Sequence, residues 1–135
     1  MDIPGAGAAG GLGAGLLAFT QAEMKRGIDI VLEYSGFKEK AKGIGVCFKG
    51  EGAMDFQTKF GKTPYGVAKA MKEINPDVKV IAIVGKVSEG IEELHLEGVD
   101  AEFPTAAGAS SLEELIETAS HYVSRTVENI IRTLV

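Results

Sequence analysis

Cysteine is almost absent: a single residue, Cys47, in a chain of 135. That excludes an intrachain disulfide framework and any zinc site built from several thiolates, and it makes the cytoplasm the expected compartment. Tryptophan is missing and only two histidines occur. Neither histidine has a partner at metal-ligand spacing, so His95 and His121 read as surface or boundary residues. Basic residues are the minority, 14 against 19 acidic, for a net charge of -5. A protein that coats nucleic acid needs a basic face to neutralise phosphates, so this balance argues against one. Long apolar runs are also lacking. Residues 3 to 19 carry no charge, but Pro4 and six glycines up to Gly15 make a poor hydrophobic helix. With no Lys or Arg ahead of it, the stretch reads neither as a signal peptide nor as a membrane span.

What the chain has in excess is glycine, 18 residues, together with 45% hydrophobic residues. This is enough apolar material to bury a core, and glycine at this density serves close backbone approaches and tight loops. The opening reads as a small-residue loop entering a buried helix, with Leu12, Leu16 and Phe19 on one side. Ile28, Val31 and Leu32 predict a short helix that Gly36 ends, and 37–42 a polar helical connection.

Three short apolar runs, Ile44–Phe48, Val78–Val84 and Val99–Phe103, read as strands. Between the first two, Thr63-Pro64 opens a helix carrying Val67, Ala70, Met71 and Ile74, which Asn75-Pro76 stops. Between the last two, Ile91 and Leu94 mark a short helix closed by Gly98. Alternative capping boxes at Ser110 and Ser111 start a final helix, whose apolar stripe runs from Leu112 to Leu134.

Alternating strands and helices predict one α/β domain over 1–135, a three-layer parallel sheet of about three strands with flanking helices. Three strands make a thin sheet with two open edges, so the chain is expected to be part of a larger fold. With an apolar stripe left over, it is also expected to form a homo-oligomer or to associate with the part it lacks.

Ligands of open α/β sheets bind beyond the carboxyl ends of the strands. Those ends lead into 49–62, 85–90 and 104–111. The first segment gathers Glu51, Asp55, Gln57, Thr58, Lys62 and two glycines, Gly50 and Gly52, ahead of a helix start that attracts anions. Two glycine strings carry less. Gly5-x-Gly7-x-x-Gly10 matches a dinucleotide fingerprint, but no strand feeds it. Gly61-Lys62-Thr63 ends like a phosphate loop, but Phe56 stands where that loop needs glycine. Cys47 lies in a strand and reads as a small hydrophobe.

The segments 4–13, Gly50-Glu51-Gly52-x-x-Asp55-x-Gln57-Thr58 and Gly61-Lys62-x-Pro64-x-Gly66-Val67-Ala68, with Gly98-Val99-Asp100-Ala101 after them, resemble the bacterial glycerate kinase family, of the glycerate 2-kinase type. The resemblance covers the whole chain but about the C-terminal third of such an enzyme. It implies a flavodoxin-like piece of a two-domain α/β fold that transfers the γ-phosphoryl group of ATP to a hydroxyl of D-glycerate with Mg²⁺. The pattern differs at Ala53, where the family has Arg, at Lys49, where it has Thr, and at 85–87. Phosphoryl transfer needs a carboxylate to hold Mg²⁺ or accept the hydroxyl proton, and cations or N–H groups to receive phosphate charge. Asp55, preferred because it follows a tight Gly-Glu-Gly turn, and Glu51 are the carboxylate candidates, with Asp55 the metal ligand. Lys62 is the phosphate cation, and Gly50, Gly52, Gln57 and Thr58 contact substrate or nucleotide. Gly5, Gly7 and Gly10 line the cleft or pack against the missing domain. The rival reading is a non-catalytic, ligand-binding half that works only when docked to another chain.

Overall fold

A computed structural model describes residues 3–54, 63–87, 95–106 and 108–134. The elements in chain order are α1 (Ala8–Phe19), α2 (Gly27–Tyr34), α3 (Phe37–Lys40), β1 (Val46–Met54), α4 (Thr63–Ile74), β2 (Lys79–Val87), β3 (Ala101–Pro104), α5 (Leu112–Glu117) and α6 (Ala119–Leu134). The strands form one parallel sheet in the order β1-β2-β3.

β2 is buried on both faces, and its side chains alternate between two cores. Val80, Ala82 and Val84 pack with Ala68 and Met71 of α4, with Ala41, Val78 and Val99, and with Phe37, Cys47, Val67 and Ile74 around them. Ile81 and Ile83 point the other way, onto Ile130 and Val127 of α6, with Val46 and Phe48 of β1 beside them. Period-two alternation therefore places α4 on one face and α6 on the other, which is the expected three-layer α/β arrangement. α2 closes over α4 at Gly66, where any Cβ would strike the Ile28 side chain.

Asn75 stops α4 by a local mechanism. Its side-chain oxygen accepts from the Asp77 amide at 3.1 Å, and its side-chain nitrogen donates to the Ile44 carbonyl at 3.1 Å. Gly98 has φ +98 and lies against Lys72 and the Ala68 carbonyl, a position only glycine fills without strain.

Four expectations are corrected. β1 and β2 run past Phe48 and Val84, because their ladder continues through Glu51↔Val84 to Met54↔Val87. β3 starts at Ala101 rather than Val99, so Val99 is core outside the strand. The last helix is two, broken at Thr118 (φ -96, ψ 2), whose hydroxyl donates to the Glu114 carbonyl and competes with the helix ladder. The opening helix is not buried: Leu12, Leu16 and Phe19 are exposed, Phe19 to 90%. Inside its first turn Ala9, Gly10 and Gly11 are left-handed and kink it, and a side chain costs conformational energy at Ala9. The predicted helix at 91–94 lies outside the described residues; His95–Glu97 is a short 3₁₀ turn.

Candidate functional site

Parallel register brings the last residues of the strands to one edge. Met54 pairs with Val87, Val84 pairs with Pro104, and the Thr105 amide donates to the Val84 carbonyl at 2.8 Å. α4 runs back from this edge, so its first turn, beginning at Thr63, lies there too. This is the crevice end at which open α/β sheets hold ligands.

Three of the sequence-derived site residues come together here: Gly50, Glu51 and Gly52 are consecutive in β1. They form an extended strand rather than the expected tight turn, since pairing with β2 at Gly50 and Glu51, resumed at Ala53 and Met54, keeps the backbone extended. Neither glycine has positive φ, and among the described residues nothing lies within 4 Å of the place a Cβ would take. At Gly50 and Gly52 the α6 side of β1 is therefore bare backbone, open to close approach by a ligand. Gly85 is under a different constraint: a Cβ there would sit 2.6 Å from the Gly52 carbonyl oxygen. Its lack of a side chain lets the two strand ends lie together.

Alternation puts Cys47, Lys49, Glu51 and Ala53 on the α4 face of β1. Lys49 and Glu51 are half-buried. Burial pushes the Lys49 ammonium down from its ordinary value, against the opposing pull of Glu51 and of the Cys47 thiol. Burial likewise pushes the Cys47 thiol up, with Lys49 opposing, which fits the reading of Cys47 as a packed hydrophobe rather than a nucleophile.

Asp55, Gln57, Thr58 and Lys62 lie outside the described residues. Gly5, Gly7 and Gly10 belong to the opening turn and α1. Gly5 (φ +86) is covered by the Met24 methyl, and the Cβ positions of Gly7 and Gly10 face open space. Among the described residues, no group of three or more His, Cys, Asp or Glu could hold a metal. Glu51 alone still fits magnesium, which keeps several waters and takes one or two carboxylates plus substrate phosphates. No helix among the described residues is long and apolar enough to cross a membrane.

Sequence reasoning missed the role of Asp100. Its carboxylate accepts from the Val80 amide at 2.7 Å and from the Lys72 ammonium at 2.8 Å, and Lys72 also donates to the Val78 carbonyl at 2.7 Å. Burial alone would raise this carboxyl, but the Lys72 and Val80 hydrogen bonds and the nearby lysine charges outweigh it and hold it below its ordinary range. Asp100 thus fastens β2 to β3 and α4 at the amino end of the sheet, away from the candidate site. His95 is also structural: its Nδ1 lies 3.0 Å from the Val99 carbonyl and its Nε2 3.3 Å from Glu102. Gly98 ahead of Asp100 signals a turn, but nothing in the sequence shows which backbone amide the aspartate reaches.

The sequence matches the model of the glycerate kinase family over residues 1–135. It is 47% identical to a glycerate kinase of Bacillus subtilis (strain 168) over 96% of this chain and 33% of that protein. It is 38% identical to a glycerate 2-kinase of Escherichia coli (strain K12) over 98% of this chain and 34% of that one. A crystal structure assigned to a glycerate kinase 2 from Salmonella typhimurium LT2 superposes with a TM-score of 0.71 at 38% identity, covering 98% of this chain and 33% of that one. The chain thus spans about a third of the length of the relatives it matches.

Proposed function

We propose that this chain, which belongs to the glycerate kinase family, supplies the phosphoryl-transfer edge of an ATP-dependent kinase acting on D-glycerate. The observation that carries the reading is the family match over 1–135 combined with Gly50-Glu51-Gly52 at the carboxyl edge of a parallel sheet. In the reaction, a glycerate hydroxyl oxygen forms a bond to the γ-phosphorus of ATP. The bond from that phosphorus to the bridging oxygen breaks, ADP leaves, and the hydroxyl proton passes to a carboxylate. Glu51 and Asp55 are the two carboxylates proposed for that proton and for Mg²⁺, with Asp55 preferred for the metal. Mg²⁺ would neutralise phosphate charge. Lys62 would meet the transferred phosphoryl group, Gln57 and Thr58 would orient substrate, and bare Gly50 and Gly52 would let backbone approach it. Gly5, Gly7 and Gly10 would line the far wall of the cleft. The family resemblance points to 2-phosphoglycerate as the product.

A second reading is favoured by the length ratio and by the apolar side chains on α1 and α5. Leu112 (74%) and Ile116 (68%) are exposed, as Phe19 is. In this reading the chain works only when associated with another, either a second copy or the remaining two thirds of a family enzyme. Its location would be cytoplasmic in either case. One assay separates the readings: ADP formation from ATP, Mg²⁺ and D-glycerate, by the chain alone and mixed with the part of the Bacillus subtilis enzyme that this chain does not match. Turnover by the chain alone supports the first, turnover only in the mixture supports the second, and none in either rejects the kinase assignment.

A further inference from the structure

The two outer strands end the sheet in different ways. β3 has four residues and carries Glu102 and Pro104. A charge, and a proline with no amide hydrogen to offer, are the usual guards of an edge that stays open to water. β1 has nine residues, and its first half places Val46 and Phe48 on the α6 face and Cys47 on the α4 face. Apolar side chains on both faces mark a strand patterned for the interior of a parallel sheet, as β2 is. Yet Val46, Cys47 and Phe48 are only half-buried, whereas Val80 and Ile81, opposite Cys47 and Phe48, are buried. The backbone shows the same asymmetry. The Lys79 amide donates to the Gly45 carbonyl at 2.9 Å, and Val46 stands opposite Lys79. In a parallel ladder that phase turns the amides and carbonyls of Cys47 and Lys49 toward β2 and those of Val46, Phe48 and Gly50 to the other side. Among the described residues, no strand pairs with that side.

We infer that the outer edge of β1 is where a further strand joins this sheet, and that the strand comes from the part of a family enzyme that this chain does not match. The inference rests on the second reading above, that the chain works in association, and it names the surface that associates. The length ratio argues for this occupant: the chain spans about a third of its matched relatives, which leaves them residues enough for a strand and the helices that cover it. A second copy fits less well. Two β1 edges meeting about a two-fold axis run antiparallel, in a sheet whose described pairs are all parallel. The added strand supplies the apolar neighbours that Val46, Cys47 and Phe48 lack, and it pairs with the outward amides and carbonyls of β1. β1 then becomes a central strand, which is what its pattern suits, and β3 remains the guarded edge.

The test is amide hydrogen exchange, read residue by residue by fragmentation mass spectrometry. It compares the full chain alone with its complex with the co-expressed unmatched part of the Bacillus subtilis enzyme, light scattering reporting whether that complex forms. The amides of Phe48 and Gly50 should slow about tenfold or more on association. Those of Cys47 and Lys49 should be protected in both states. The Asp100 amide donates to the Val80 carbonyl, so Ala101 and Phe103 face the outer side of β3, and their exchange should not change. Gly50→Pro removes one outward amide and leaves the bonds from β1 to β2 in place, so it should weaken association about tenfold. Where that variant fails to fold, the exchange map of the parent chain decides. A complex that protects Ala101 and Phe103, or only α1 and α5, overturns the edge and leaves the association reading standing. So does undiminished association of a folded Gly50→Pro chain. Slow exchange at Phe48 and Gly50 that rises with concentration of the chain alone assigns the edge to a second copy and overturns the occupant. If no complex forms, the association reading fails and the edge with it.

Discussion

The two ends of the sheet are built on opposite principles. At the amino end, polar groups are spent on one another: Asp100 accepts from Val80 and Lys72, Lys72 reaches the Val78 carbonyl, and Asn75 bonds to Ile44. At the carboxyl end, β1 carries two glycines with nothing over them among the described residues, and Glu51 lies two residues from Lys49 on the same face. An interior that satisfies its polar groups is rigid, whereas a strand end of glycines leaves its backbone open to approach. The difference separates the end that holds the fold from the end proposed to use it.

The largest expected effect is one that confines function to the carboxyl end. In the active assembly, Asp55→Asn should lower kcat by about 10²-fold or more, and Glu51→Gln is the companion test. The thermal melt of Glu51→Gln should stay near that of the parent chain, because Glu51 is half-buried and belongs to neither apolar cluster. Near-native turnover for Asp55→Asn with a large loss for Glu51→Gln would exchange their roles.

Gly85→Ala should break the comparison, since it is a carboxyl-end change that costs stability. The new Cβ would meet the Gly52 carbonyl oxygen at 2.6 Å, and backbone cannot step aside as a side-chain tip can. A loss of about 3 kcal/mol is expected in denaturant unfolding, from overpacking. Gly50→Ala, whose Cβ would meet nothing within 4 Å among the described residues, should lose far less. Equal losses at the two positions would show that the strand ends are not in close contact.

How much of this was legible in the residues follows from the same contrast. The three strands, their parallel order, the α4 helix and the Ser111 start were readable, because β-branched runs, an Asn-Pro stop and a capping box are local signals. The strand ends were not. Gly50-Glu51-Gly52-Ala53 has poor strand propensity, and only pairing with β2 makes it extend. The convergence of the strand ends on one edge was legible through parallel order. The juxtaposition of Ala53 with Lys86 was not, since a cross-strand neighbour depends on register. Lys49, Ala53 and Lys86, which stand out separately in the sequence as departures from the family pattern, are neighbours on one face only once that register is known. The exposure of Leu12, Leu16 and Phe19 was misread for a related reason. An apolar spacing shows which side a helix offers, not whether this chain contains its partner.

Asp100→Ala sharpens the amino end. It removes the acceptor of the Val80 amide and of Lys72, and about 2 kcal/mol of stability should go with it. The dependence on pH has a definite sign. The folded carboxyl sits below its unfolded value, so its contribution is complete above about pH 4 and is lost as pH falls through the lower folded value. The gap in unfolding free energy between the parent chain and Asp100→Asn should therefore shrink on acidification through that range. A gap that stays constant with pH would mean the carboxylate charge is not what fastens the strands.

Ser111→Ala is the smallest of these changes and tests whether α5 is held by local chemistry alone. The Ser111 hydroxyl accepts from the Glu114 amide at 3.2 Å, and the Glu114 carboxylate accepts from the Ser111 amide at 2.9 Å. Losing one half of such a reciprocal cap costs about 1 kcal/mol of helix stability. α5 buries none of its residues, and Leu112 and Ile116 lie open. Its helical state thus depends on the cap more than on packing, and the six-residue length is too short to persist unaided. Hydrogen exchange should speed up across 112–117 in the variant while the amides of β2 keep their protection. If a second copy or the rest of a family enzyme covers Leu112 and Ile116, adding that partner should restore slow exchange in α5 despite the missing cap. Fast exchange in α5 under conditions where light scattering reports an assembled species would show that the partner binds elsewhere.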